Sequence, residues 1–153
     1  MDEPERLVSL LGLRAHPEGG RFAETWRGGE GVDGREAGSA IYHLLRAGER
    51  SAWHRVDATE IWHHYAGAPL RLSLAAGSGL ESARHHVLGP DIEAGQRPQL
   101  IVPAGDWQAA QSVGAWTLVG CTVAPAFTFE GFELAPSGWE PGMTGRDAML
   151  RDR

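Results

Sequence analysis

Short runs of strand length, each stopped by a turn, follow one another along most of the chain. Ser51 to Val56, Glu60 to Ala66, Leu70 to Leu74, Ala83 to Leu88, Leu100 to Val102, Trp107 to Gln111 and Trp116 to Val123 all have this character, and turn residues separate nearly all of them. Leu70, Leu72 and Leu74 alternate with Arg71 and Ser73, the pattern of a half-buried antiparallel strand. Arg21 to Arg27 and Ser39 to Leu45 read as two earlier strands, with Phe22, Glu24 and Trp26 expected on one face. The 21 glycines and 9 prolines suit many tight turns. Helical spacing is confined to Glu3 to Leu13, where Leu7, Leu10 and Leu11 recur and Gly12 stands near the end. An all-β sandwich or small barrel with a short N-terminal helix follows.

A length of 153 residues predicts one domain, 1 to 153, with its core over about 7 to 134. Gly28 to Gly38 reads as an exposed loop and the best candidate for disorder, while the tail from Ser137 to Arg153 loses periodicity and reads as a short helix or a frayed end. The net charge of −6 provides no basic footprint, so neither nucleic acid nor an anionic membrane surface is an expected partner. Cys121 is the only cysteine and sits in an apolar run, which predicts a buried, inert thiol and no intrachain disulfide. There is no secretory leader pattern and no apolar run near the ~18 residues of a membrane span, so a soluble, cytoplasmic protein is expected.

Candidate chemistry concentrates between Ser51 and Gly67, which hold three histidines, a glutamate, two tryptophans and a tyrosine. In a strand, Glu60, Trp62 and His64 share one face, with Ile61, His63 and Tyr65 on the other. An antiparallel return brings His54 opposite Glu60 or Trp62. His54, Glu60 and His64 are therefore candidate ligands for a divalent metal, and equally candidate groups for proton transfer. His63 reads as a solvated or sheet-stacking histidine, His43 as a hydrogen-bonded core histidine and His16 as part of a turn. His85 and His86 are adjacent, so at most one of them faces a pocket.

Gly48, His54, Val56, Glu60 and Gly67 resemble the first cupin motif, G-x5-H-x-H-x3-E-x6-G, with Val56 in place of the second histidine. Pro103-Ala-Gly105-Asp-Trp-Gln108 resembles the start of the second motif, P-x-G-x-x-H, with Gln108 in the histidine position. A finer resemblance is to the cupin-5 family. It rests on His16-Pro-Glu-Gly-Gly20 with Glu24-Thr-Trp-Arg27, then Trp53 to Val56, Glu60 to His63, Val102 to Gly105, Trp107 to Ala110, and Val123-Ala-Pro125 with Phe127, in that order. The resemblance implies a jelly-roll β-barrel, a homodimer and an interior small-molecule pocket similar to those of sugar-nucleotide epimerases. Arg21-Phe22-Ala-Glu24 is similar to a strand of dTDP-4-keto-sugar epimerases, which implies Arg21 and Glu24 as contacts to an anionic or hydroxylated ligand.

Two of the four metal positions of that motif are replaced here, which favours a site that requires no cofactor over one holding Zn, Fe, Ni or Mn. The expected function is an isomerase- or epimerase-like enzyme acting on a polar sugar-derived or carboxylated metabolite. His54 is its expected general base, Glu60 orients it, and His64 or Tyr65 is the proton partner. Trp26, Tyr42, Trp53, Trp62, Trp107 and Gln108 join Arg21 and Glu24 as candidate substrate contacts, although core packing explains the tryptophans equally well. The alternatives are a non-catalytic ligand-binding cupin and a metal-dependent oxygenase or lyase using His54, Glu60 and His64.

Overall fold

A computed structural model describes residues 1–143. The tail from 144 onward, part of the segment expected to be helical or frayed, lies outside the described residues. The opening helix α1 spans Glu3–Leu11: the Asp2 side chain accepts from the Glu5 amide at 2.9 Å, Pro4 occupies the first turn, and Gly12 ends the helix at φ 66°. Leu7, Val8 and Leu11 pack on Leu13, Leu44 and Leu118, whereas Leu10 faces solvent at 73% exposure.

Eleven strands follow: β1 Arg14–Ala15, β2 Arg21–Gly28, β3 Gly38–Arg46, β4 Arg50–Val56, β5 Thr59–Gly67, β6 Leu70–Ala75, β7 Arg84–Leu88, β8 Gln99–Val102, β9 Trp107–Ser112, β10 Trp116–Ala124 and β11 Phe132–Leu134. They form a six-stranded sheet in the order β1-β2-β3-β10-β5-β8 and a five-stranded sheet in the order β11-β4-β9-β6-β7. Every ladder between them is antiparallel. The two sheets face each other as a jelly-roll barrel, and the core fills one part of the space between them. Leu45, Trp62 and Val119 of the first sheet meet Leu70, Leu72 and Leu74 of the second, all nearly or wholly excluded from water. Burying each such side chain contributes about 1.5–3 kcal/mol.

Two irregularities decide which side chains reach the interior. A bulge in β2 between Glu24 and Trp26 adds Thr25 to the strand, so the alternation expected from Phe22 through Trp26 breaks. Arg27 instead of Trp26 then joins Phe22 and Glu24 on the inner side. Trp26 lies across Gly28 and Gly38, 52% exposed. A register shift in β4 between Ser51 and His54 turns Trp53 outward and His54 inward.

The Gly28 to Gly38 segment is tied down. Arg35 donates to the Ala126 carbonyl at 2.8 Å and to both carboxylate oxygens of Asp57, which anchors the segment to the barrel end. Among the described residues, no helix is long and apolar enough to cross a membrane.

Candidate active site

The part of the barrel not filled by the leucine core is a cavity of about 390 Å³, within the usual size range of small-molecule sites. Its inner end carries Glu18, His54 and Glu60, its walls are mainly Phe22, Ile41, Val56, Val123, Phe127 and Phe129, and Arg14 and Arg27 stand among the lining cations.

Glu18 comes from the turn His16-Pro-Glu-Gly-Gly20. Gly19 at φ 118° and Gly20 at φ 78° let that turn fold under β3 and β4, and the Ala52 amide donates to the Glu18 carbonyl at 2.8 Å. The Glu18 carboxylate receives the Ser51 hydroxyl at 2.7 Å on Oε1 and stands 3.0 Å from His54 Nε2 through Oε2. His54 Nδ1 is 2.7 Å from the Ala52 carbonyl. Both ring nitrogens therefore face acceptors, and the geometry is that of a doubly protonated imidazolium.

The charges follow from these contacts. Burial disfavours the imidazolium, but the Glu18 carboxylate, with smaller help from Glu60 and the Ala52 carbonyl, pushes His54 up to about 9. Burial by itself would raise Glu18; His54 outweighs it, and with His43 and His16 holds the Glu18 carboxyl well below the usual carboxylate range. Among the described residues, no cation forms an ion pair with Glu60. Burial, with Glu18 repulsion added, carries it to about 7 despite the opposing pull of His54. Burial pulls His16 down to about 4, against the attraction of Glu18. Its Nδ1 accepts from the Glu18 amide at 3.1 Å, so in the neutral ring the proton sits on Nε2.

Glu60 is held by its neighbours. Gln108 donates through Nε2 to Glu60 Oε1 at 2.9 Å, and Trp62 Nε1 donates to Gln108 Oε1 at 2.8 Å, so the amide is fixed in one orientation. Cys121 also hydrogen-bonds Glu60, and burial raises its thiol well above the ordinary value.

Several sequence expectations change at this point. His54 and Glu60 do line one cavity, together with Glu24. Glu18, not Glu60, is the carboxylate that orients His54. His64 is absent from the cavity: four residues along a strand separate it from Glu60 by about 13 Å, the buried Trp62 stands between them, and its Nε2 lies 3.2 Å from the Gly67 and Ala68 carbonyls. Tyr65 lies on the outer face across Gly120, 53% exposed, and stacks with His63. Trp53 and Trp107 pack with Trp139 on the outer side of the five-stranded sheet. Trp62 and Gln108 support Glu60 from within the core. Tyr42 packs in the cluster under α1, and Arg21 lies on the surface near Arg46. His16 is more than a turn residue, since it lines the cavity.

The donors do not suit a divalent cation. Both His54 nitrogens are engaged, both ends of the Gln108 amide are used, Val56 replaces a histidine with a hydrocarbon, and His64 is remote. Among the described residues no group of three or more His, Cys, Asp or Glu is arranged to hold a metal ion. A second hollow of about 460 Å³ lies on the outer face of the five-stranded sheet, lined by Arg50, Trp53, Arg71, Ser73 and His85, but it contains none of the enclosed carboxylates.

A jelly-roll barrel with titratable groups gathered inside its wall defines the cupin class. More narrowly, the chain belongs to the Cupin_5 family of the cupin superfamily (DUF985), whose model matches residues 5–135. It is similar to a Shewanella oneidensis protein known from an X-ray crystal structure, at 36% identity and TM-score 0.82 over 88% of this chain and 85% of that one. A hypothetical protein from Leishmania major matches at 28% identity and TM-score 0.81, over 88% of each chain. Oxalate decarboxylase from Bacillus subtilis shares the fold at 11% identity and TM-score 0.59, over 78% of this chain and 29% of that one. No curated protein matches.

Proposed function

We propose that this cupin is an isomerase- or epimerase-like enzyme that moves a proton on a small molecule bound inside the barrel, with Glu60 as the proton-transferring group. The observation that carries this reading is an enclosed carboxylate facing a cavity beside a fixed ion pair. Near neutral pH, Glu60 at about 7 is populated in both forms, the condition for a group that takes a proton and returns it. His54 is already charged and engaged on both nitrogens, so the role of general base passes from it to Glu60. The His54–Glu18 pair fixes the local field, and His16 offers an Nε2–H donor to an oxygen that gains negative charge. The reaction class is removal and return of a proton on carbon next to a carbonyl.

The test is deuterium incorporation. A panel of 2-oxo acids and keto sugars is incubated with the protein in D₂O and followed by NMR. Exchange at the carbon next to the carbonyl is expected with the unaltered chain, and its loss with Glu60→Gln. Ligands that bind without any exchange would overturn the enzyme reading in favour of a binding cupin. A homodimer is retained on the family resemblance, and light scattering on the purified chain measures it.

A further inference from the structure

We infer that the ligand is a small organic acid with an apolar body: its anionic group meets Arg14, and its ring or branched chain packs among Phe22, Phe127 and Phe129. This rests on the cavity being the working site, as proposed above, and adds what the cavity selects.

The two lining arginines differ in how far they are committed. Arg27 donates to both carboxylate oxygens of Glu24 at 3.0 Å, lies 3.5 Å from Glu36, and donates to the Phe127 carbonyl at 2.7 Å. It is a strut that holds the Phe127 segment against β2. Arg14 stands over the Phe22 ring at 5.4 Å and, among the described residues, has no carboxylate within ion-pair distance. It is the cation still open to a ligand, and a guanidinium suits a carboxylate or phosphate bidentately.

The walls reject a hydroxyl-rich ligand. Ser39 Oγ already accepts from the Phe127 amide at 2.9 Å and Thr128 Oγ1 from the Gly131 amide at 3.1 Å. Apart from these hydroxyls, Cys121 and the ionisable groups at the inner end and on β1 and β2, the wall is phenyl rings and aliphatic chains, with Phe127 edge-on to Phe129 at 5.1 Å. Hydroxyls of a sugar placed there give up water for few partners, which is unfavourable. A planar or branched apolar body gains contact with those same rings. The carboxylated branch of the sequence expectation is thereby preferred over the sugar-derived one.

The experiment is isothermal titration of the full chain with three probes: phenylpyruvate, its uncharged analogue phenylacetone, and gluconate. Phenylpyruvate is expected to bind at least tenfold tighter than either of the others. Arg14→Ala is expected to remove the advantage over phenylacetone and leave phenylacetone affinity unchanged, with Arg14→Lys restoring part of it. Gluconate binding as tightly as phenylpyruvate, phenylpyruvate affinity unchanged in a folded Arg14→Ala protein, or no binding of any probe at millimolar concentration each overturns the inference. The titration and the deuterium experiment on the unaltered chain separate the two proposals: preference for the aromatic acid without deuterium exchange removes the proton-transfer reading and leaves this one standing.

Discussion

Glu18 Oε2 lies 3.0 Å from His54 Nε2, and both side chains are buried. The pair joins the turn after β1 to strand β4 and brings a charge of each sign into the barrel. Removing one member leaves the other as an uncompensated buried charge, which costs about 3–5 kcal/mol. Glu18→Ala is therefore expected to lose stability of that order in urea denaturation. In Glu18→Gln, the His54 resonances followed by NMR are expected to titrate well below the pH at which they titrate in the unaltered chain. A Glu18→Ala protein as stable as the parent would show that the pair is not formed.

The same pair sets how stability varies with pH. His54 is raised from 6.5 to about 9, so its contribution is complete below 6.5 and is lost as pH rises through 9. Glu60, raised from 4.5 to about 7, retains a proton that the unfolded chain has lost, so it too lowers stability as pH rises across that interval. His16, lowered to about 4, works in the opposite direction between 4 and 6.5. From pH 6.5 to 9.5 the free energy of unfolding is expected to fall by about 3 kcal/mol. Denaturant midpoints at a series of pH values measure this, and His54→Gln is expected to flatten the limb.

For catalysis, Glu60 must be ionised to accept a proton. The deuterium-exchange rate is expected to rise with pH through about 7 and to decline again above about 9, where His54 loses its charge. Glu60→Gln keeps the size of the side chain while removing the base, and a loss of about 10²–10⁴-fold is expected. Gln108→Leu removes the donor to Glu60 Oε1 and is expected to shift the lower limb upward, because the Gln108 hydrogen bond favours the ionised carboxyl.

Most of the barrel is legible in the sequence because strand alternation and turn chemistry are local. The run from Leu70 to Leu74 shows this well: its three leucines enter the core and Ser73 faces outward to bond His85 at 2.8 Å. The site is legible only in part. His54 and Glu60 follow from motif spacing, whereas Trp26 and Trp53 are displaced by irregularities in register that no alternation rule anticipates. His64 fails for a different reason: sharing a strand face does not mean sharing a site once a tryptophan fills the space between. Glu18 lies within the His16 to Gly20 block, but its role depends on a glycine turn that delivers it to a strand distant in sequence. Arg14 belongs to a two-residue strand too short to give a periodic signal.

Metal binding is a separate measurement. Because His54, Gln108 and Val56 offer no open ligand set, the purified chain is expected to carry less than stoichiometric Zn, Fe, Ni or Mn by elemental analysis, and its thermal midpoint to be unchanged by EDTA. A stoichiometric metal whose removal lowers the midpoint would require His54 to leave Glu18 and turn toward the ion.

The turn that delivers Glu18 depends on a backbone conformation and a close approach that favour glycine. Gly19 adopts φ 118°, and a Cβ there would stand well inside contact distance of the Arg50 carbonyl oxygen, a backbone atom of β4 that cannot rotate away. Gly19→Ala therefore combines a disfavoured dihedral with a clash against a strand, and a loss of about 3 kcal/mol or more is expected. Gly34, in the β2–β3 connection, is the control. It too has positive φ, at 78°, but a Cβ there meets nothing within 4 Å, so Gly34→Ala is expected to cost only the dihedral penalty of about 1 kcal/mol. The two variants also separate backbone strain from site geometry: Gly19→Ala is expected to disturb the His54 resonances, because a shifted turn carries Glu18 away from Nε2, whereas Gly34→Ala leaves them in place. Equal losses in the two proteins would mean that the turn relaxes around the added methyl and that Glu18 is not fixed by it.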